Sequence, residues 1–234
     1  MVQSRLTVRQ LGLVPYRDGI ALQEEHVRAR AAGEIADTLL LLEHPPVLTA
    51  GRGTADGSVI ADAATLERLG LEVVPVSRGG DVTWHGPGQL VGYPICDLGA
   101  QGHDLHRFLR GIEQGLIDSL KRFGITSHRI EGRTGVWVVA PEGRARESLK
   151  IASIGIAVRR WVSYHGFALN VAPDLGDFEL IHPCGYPDVR MTSMQRMLGD
   201  GCPSWARVQA VVADEMGHAL GYDGVRNESE GVAA

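Results

Sequence analysis

Cysteine is scarce in this chain. Three occur in 234 residues, at positions 96, 184 and 202. An odd number so far apart makes no disulfide framework, and the expectation is a reduced, cytoplasmic protein. Lysine is scarcer still. Of 23 basic residues only Lys121 and Lys150 are lysines, so arginine serves almost everywhere a surface cation is needed. Acidic residues outnumber basic ones, 28 to 23, for a net charge of −5. That balance argues against general nucleic-acid binding, though not against a local basic patch. No apolar run reaches the length of about 18 residues that a membrane span needs. The opening MVQSRLTVRQLG has no apolar core of a secretory signal. The P-loop and dinucleotide spacings are missing, as is a G-x-S-x-G elbow. His103 and His106 of HDLH stand three apart with no second ligand pair near them in sequence, so no metal site is expected.

What is present is an ordinary globular composition, 44% hydrophobic and 22% charged, with a generous 30 glycines. Strand-like and helix-like stretches alternate irregularly, which predicts an α+β (mixed α/β) fold in a single domain over residues 1–222. RLTVRQLGLV opens as a strand, a helix follows around 16–32, and DTLLLLEH fits a central strand that stops at Pro45-Pro46. ADAATLERLG is a short helix ended by Gly70, and LEVVPVS the next strand. Residues 104–123 keep helical spacing, with Asp104 as cap and Gly124 as stop. TGVWVVA and LKIASIGIAVRRW read as a hairpin around a polar turn, and SYHGFALNV as a further strand. Ser204 opens a closing helix. The polar residues 223–234 read as a disordered tail.

Four stretches carry candidate chemistry. SRGGDVTWHGPGQLVGYP, 77–94, packs glycines among Arg78, Asp81 and His85. Bare N–H groups there suit a ligand, although a glycine-rich hairpin loop is about as good a reading. Lys150 opens an apolar strand interrupted by Ser153 and Gly155. A lysine retained in an arginine-using chain suggests a proton that must be lost, although an edge-strand lysine is the plainer account. SYHGFALN offers His165, weak by itself. Last, Cys184 stands between Pro183 and Gly185 in HPCGYPD, a tight turn outside any apolar run. Cys202 is its rival as a reactive thiol, while Cys96 reads as a core residue at a strand end.

Together these stretches resemble the lipoyl(octanoyl) transferases. RGGDVTWHGPGQLVGYP looks like that family's signature, and KIASIG, YHGFALN and PCG followed by TSM match its other blocks in order. The similarity runs from LLLLEHPPVLTAGR to MTSM, most of the chain. It implies the fold of biotin and lipoate protein ligases, a mixed sheet flanked by helices. It implies a reaction in which octanoyl passes from acyl carrier protein to an enzyme cysteine. From there it moves to a lysine ε-amine on lipoyl domains of 2-oxoacid dehydrogenase complexes or the glycine cleavage H protein. By resemblance Cys184 is the nucleophile and Lys150 lowers its pKa and handles protons, with His85 and His165 in support. Substrate binding falls by resemblance to Arg78, Gly79, Gly80, Asp81, Val82, Thr83, Trp84, His85, Ser153, Ile154, Gly155, Gly166, Phe167 and Ala168.

The chemistry agrees with that implication. A thioester is already activated, so no cofactor is expected, and a thiol nucleophile keeps the activation for the amine. Ile151, Ile154 and Phe167 suit a slot for a short saturated chain. Arg144, Arg146, Arg159 and Arg160, on the hairpin that carries Lys150, are nominated to meet the acidic carrier. Two alternatives stand beside this reading. One is an ATP-dependent lipoate or biotin ligase of the same fold, and the other a non-catalytic lipoyl-domain binding protein.

Overall fold

The computed structural model describes residues 5–99, 102–140, 148–183 and 188–228. Cys184, Arg144 and Arg146 therefore lie outside the described residues. In chain order the strands are β1 (Arg5–Leu13), β2 (Thr38–Glu43), β3 (Val47–Ala50), β4 (Val73–Pro75), β5 (Thr83–His85), β6 (Gln89–Ile95), β7 (Ser127–Ile130), β8 (Arg133–Val139), β9 (Ser148–Arg159), β10 (Val162–Asn170) and β11 (Gly224–Glu228). The helices are α1 (Tyr16–Ala31), α2 (Ala63–Leu69), α3 (Leu105–Arg122), α4 (Met194–Leu198) and α5 (Trp205–Ala219).

Eight strands make one mixed sheet in the order β11-β1-β2-β6-β10-β9-β8-β7. β1 runs parallel to β11 and β2, and the remaining pairs are antiparallel. A small sheet, β4-β3-β5, supplies the loop of residues 77–82. TLLLLE is apolar throughout because both faces of β2 are covered. Leu39 and Leu41 join the cluster with Ile112, Leu116 and Leu120 of α3 and Val208, Val212 and Met216 of α5. Leu40 and Leu42 face the other way, with Val27 of α1, Val91, Tyr93 and Ala168.

The local signals hold at the helix ends. Asp104 accepts from the Arg107 N–H at 2.9 Å, Asp62 from Thr65 at 2.8 Å, and Gly70 and Gly124 turn left-handed after their helices. Ser204 occupies the cap position of α5, but its side chain makes no capping bond. The tail needs a larger correction. Gly224–Glu228 is a strand, with Arg5 to Arg9 in parallel register against 224–228. Its polarity is that of an edge strand, half exposed, which composition alone cannot separate from disorder. None of the described helices is long and apolar enough to cross a membrane.

Candidate active site

The glycine-rich loop is organised by Arg78, which is 8% exposed. Its Nη2 donates to the Thr49 carbonyl at 2.7 Å and to Thr49 Oγ1 at 2.8 Å. Nη1 donates to the carbonyls of Asp81 at 2.6 Å and Gly79 at 3.2 Å. The carbonyls that Arg78 holds thus belong to its own loop and to β3. The Gly79 N–H donates to the Ile156 carbonyl of β9 at 3.0 Å. Only glycine fits opposite, because a Cβ on Gly155 would stand 2.8 Å from the Gly79 carbonyl oxygen.

Over this junction opens a narrow cleft with about 50 Å³ of free space. Arg78, Gly80, Asp81, Val82, Thr83, His85, Ser153, Ile154, Gly155, His165, Gly166, Phe167 and Ala168 all line it. Three stretches, 78–85, 153–155 and 165–168, spread over about 90 residues of chain, are thereby gathered at one place. Two expected members do not line it. Gly79 is spent on the β9 contact, and Trp84 alternates away from Thr83 and His85 to pack on Phe178, ring centroids 5.3 Å apart. Ile151 is likewise absent from the wall and lies in the main core. Tyr16, Val91 and Tyr93 line the cleft although sequence reasoning passed over them. Their only signal was position, since Tyr16 opens a helix and Val91 and Tyr93 alternate along an apolar strand.

Buried imidazoles and phenols floor the site. Gln89 Nε2 donates to Asn170 Oδ1 at 2.9 Å, and Asn170 Nδ2 to the Thr192 carbonyl at 3.0 Å. A carbonyl can only accept, so the amide orientations are set in series, and Gln89 Oε1 must accept from His85 Nδ1 at 2.7 Å. His85 Nε2 therefore carries the lone pair. Burial, then neighbouring His44, pushes His85 down to about 3, so it stays neutral. His44 donates through Nδ1 to the Val14 carbonyl and accepts from the Tyr93 hydroxyl at 2.7 Å, and burial holds it at about 4. Tyr16 stacks on His85 at 5.8 Å, and burial raises its hydroxyl to about 12. His165 is held at about 4 by burial and then by Arg78.

Lys150 is no edge residue. It is 1% exposed, on β9 between β10 and β8, with Nζ 5.5 Å from the centre of the Trp137 ring. Gly135 leaves it room, for a Cβ there would meet Lys150 Cε at 2.7 Å. The Gly135 N–H in turn donates to the fully buried Glu113 carboxylate at 3.2 Å.

Cys184 itself is not among the described residues, but both flanks of its turn are. Upstream, the His182 N–H donates to the Ser58 carbonyl at 2.8 Å, and Ser58 Oγ donates to Asp81 Oδ2 at 2.8 Å. Downstream, the Lys150 N–H donates to the Arg190 carbonyl at 2.8 Å and the Lys150 carbonyl accepts from Thr192 at 2.9 Å. One flank is tied to the glycine loop and the other to the lysine. The rival thiols stand elsewhere. Cys96 is buried in the main core, and desolvation drives its thiol far up. Cys202 packs against the same core, and desolvation raises it too. Arg159 and Arg160 sit at the opposite end of β9, about 30 Å from Lys150 at ~3.3 Å per residue. They do not share the lysine's end of the hairpin.

Comparison with known proteins gives the family. The family model for the lipoyl protein ligase A/B catalytic domain matches residues 15–217. An octanoyltransferase of Acidobacterium capsulatum is 43% identical over 97% of this chain and 94% of its own. One from Syntrophotalea carbinolica is 46% identical over 88% and 90%. Among solved structures, a lipoate-protein ligase A with ATP bound superposes with a TM-score of 0.73 at 17% identity, covering 98% of this chain and 90% of that one. At that identity the likeness concerns the fold alone. The chain belongs to the lipoyl protein ligase A/B catalytic family, and within it to the lipoyl(octanoyl) transferases.

Proposed function

We propose that this protein transfers octanoyl from a thioester on acyl carrier protein to a lysine of a lipoyl domain, through an acyl thioester on Cys184. The observation that carries the reading is the tethering of the two flanks of Cys184, one to the glycine loop through Ser58 and Asp81, the other to the backbone of Lys150. Relatives named octanoyltransferase at 43–48% identity support the acyl group. A bi-partite lipoate protein ligase of Thermoplasma acidophilum, described with its E2 lipoyl domain, supports the class of acceptor.

In the first half-reaction the Cys184 thiolate attacks the thioester carbonyl. A Cys–S–acyl bond forms, and the carrier sulfur leaves as its thiol by taking the proton of the Lys150 ammonium, which is left as a neutral amine. The Lys150 ammonium favours the thiolate. In the second, the acceptor ε-amine attacks the acyl-cysteine, an amide forms, and the Cys184 sulfur leaves. Lys150, now neutral, takes the proton shed by the amine. N–H groups of the glycine loop are suited to the oxyanion of each tetrahedral intermediate. His85 is a poor base at neutral pH, and its role is to present an acceptor to the cleft. The donor is already activated, so the reading calls for no cofactor, and a reducing cytoplasm keeps the thiol available.

Intact-protein mass after mixing with octanoyl-acyl carrier protein tests this. The expected result is one octanoyl adduct, labile to hydroxylamine, lost in Cys184→Ser and kept in Cys96→Ala and Cys202→Ala. A fully acylated Cys184→Ser protein would refute it, and ATP-dependent adenylate formation would favour a ligase instead.

A further inference from the structure

The acyl cleft is not the only cavity along β10. A second, of about 470 Å³, lies beyond it, walled by α1 and by residues 75–77, with Ile20, Val76, Ser77 and Tyr164 among its lining. The two cavities share one lining residue, His165. Its backbone is unusual. In mid-strand it takes φ 57°, a left-handed conformation that non-glycine residues adopt only where the surroundings impose it. The consequence is visible in its neighbours. Along a strand successive side chains alternate, and Phe167 faces the main core accordingly. His165 should point the same way. Instead its ring lies 4.9 Å from that of Tyr164, the preceding residue, and 6.5 Å from Tyr93. Its Nε2 is 3.4 Å from Ser77 Oγ, which is 3.0 Å from the Tyr164 hydroxyl. The buried Gln23 holds the distortion, accepting the His165 N–H at 2.7 Å.

Direction follows from register. Ala168 pairs with Ser153 and His165 with Ile156, so His165 stands at the end of the cleft away from Lys150. Three residues of strand separate the two levels, about 10 Å. An extended octanoyl chain has seven C–C bonds of ~1.5 Å in zigzag, about 9 Å. We propose that the His165 ring is the floor of the acyl cleft and sets the upper limit of acyl chain length, by closing the cleft off from the cavity behind it. This rests on the reading of the cleft as an acyl site with its reactive end toward Lys150. The left-handed backbone is what places an imidazole across the passage where alternation would leave it open.

The test measures rates of acyl-enzyme formation with pantetheine thioesters from hexanoyl to tetradecanoyl. The unmodified protein should favour octanoyl and fall away sharply beyond it. His165→Gly, at ease with φ above zero, should raise the dodecanoyl-to-octanoyl ratio by about tenfold or more, since pocket discrimination runs at about 10-fold or above per methylene. His165→Phe keeps the floor and should keep the ranking. Adding Ile20→Trp to His165→Gly refills the second cavity and should cancel the gain. If His165→Gly melts too low, His165→Asn, also tolerant of this backbone, must move the ratio the same way. An unchanged ratio in acylating His165→Gly overturns the floor and leaves the octanoyl reading standing. Absence of any acyl-enzyme from the unmodified protein overturns the reading itself.

Discussion

On one face of the large sheet, α3 and α5 bury Leu39, Leu41, Leu116, Val136, Val212 and Met216 in a continuous apolar cluster. On the other, toward α1 and the small sheet, the buried side chains include Tyr16, Gln23, His44, Arg78, His85, Tyr93, Lys150 and His165. Among the described residues both buried cations, Arg78 and Lys150, belong to this second face. The first face follows the rule that apolar area leaves water, at about 25 cal/mol per Å², apart from the fully buried Glu113 of α3, which Arg110 and Arg129 hold at 2.6 and 2.9 Å. The second breaks that rule repeatedly, with neutralised imidazoles, a strained strand residue and desolvated charge. Such departures cost stability and persist where they position reacting groups. The first face holds the fold so that the second can afford a cleft.

The comparison is broken most severely at Lys150. Lys150→Met should lower transfer to the acceptor by about 10²–10⁴-fold, the usual worth of general-base help. The rate is taken per folded molecule, with a urea melt of the same sample, because removing a buried cation also changes stability. Lys150→Arg keeps the charge but cannot act as a base. It should still alkylate readily with iodoacetamide near neutral pH and stall before transfer. Turnover at the parent rate in Lys150→Arg would reduce the lysine to an electrostatic partner.

The opposite dissociation is expected on the first face. Leu116 is fully buried in α3, and Leu116→Ala should cost about 2–5 kcal/mol as a cavity. Acyl-enzyme formation per folded molecule should stay unchanged. Urea melts and burst mass spectrometry on the same sample separate the two quantities. A loss of acylation rate with intact stability would mean that the two faces are coupled.

Much of this division was legible in the residues. TLLLLE announced a strand covered on both sides, Asp104 and Gly124 bracketed α3, and RGGDVTWH, KIASIG and HGFALN named three walls of the cleft. Lysine usage singled out Lys150, and the plainer account of it as an edge-strand lysine fails because the fold buries it. What was illegible depends on distance along the chain. His44 becomes part of the site only because β2 delivers it to Tyr93, 49 residues later in sequence. Tyr16 matters because α1 crosses that face. The loop role of Arg78 needs Thr49, on another strand. The β11 strand reads as tail until β1 is there to pair with it. Local pattern gives elements and motifs, whereas burial of a polar group is a property of the assembled chain.

The smallest effect, and the most direct measure of the second face, is pH. His44, His85 and His165 are held near 4, 3 and 4 by burial, against 6.5 when exposed. Each is a base whose folded pKa is depressed, so the unfolded chain binds protons that the folded chain refuses. Stability is therefore full above about pH 7 and declines as pH falls through 6.5 toward 4, where the folded histidines begin to charge as well. At pH 5 each histidine is 1.5 units below its unfolded value, worth about 2 kcal/mol at 1.36 kcal/mol per unit. Unfolding should take up about two protons from these groups at pH 6 and close to three at pH 5, read from the slope of unfolding free energy against pH in urea melts. His44→Gln should reduce the uptake by about one proton. The apolar-face variant Leu116→Ala should shift the whole curve down with its slope intact. A profile flat between pH 7 and 5 would mean that these imidazoles are solvated or paired as cations, and the contrast between the two faces would fall.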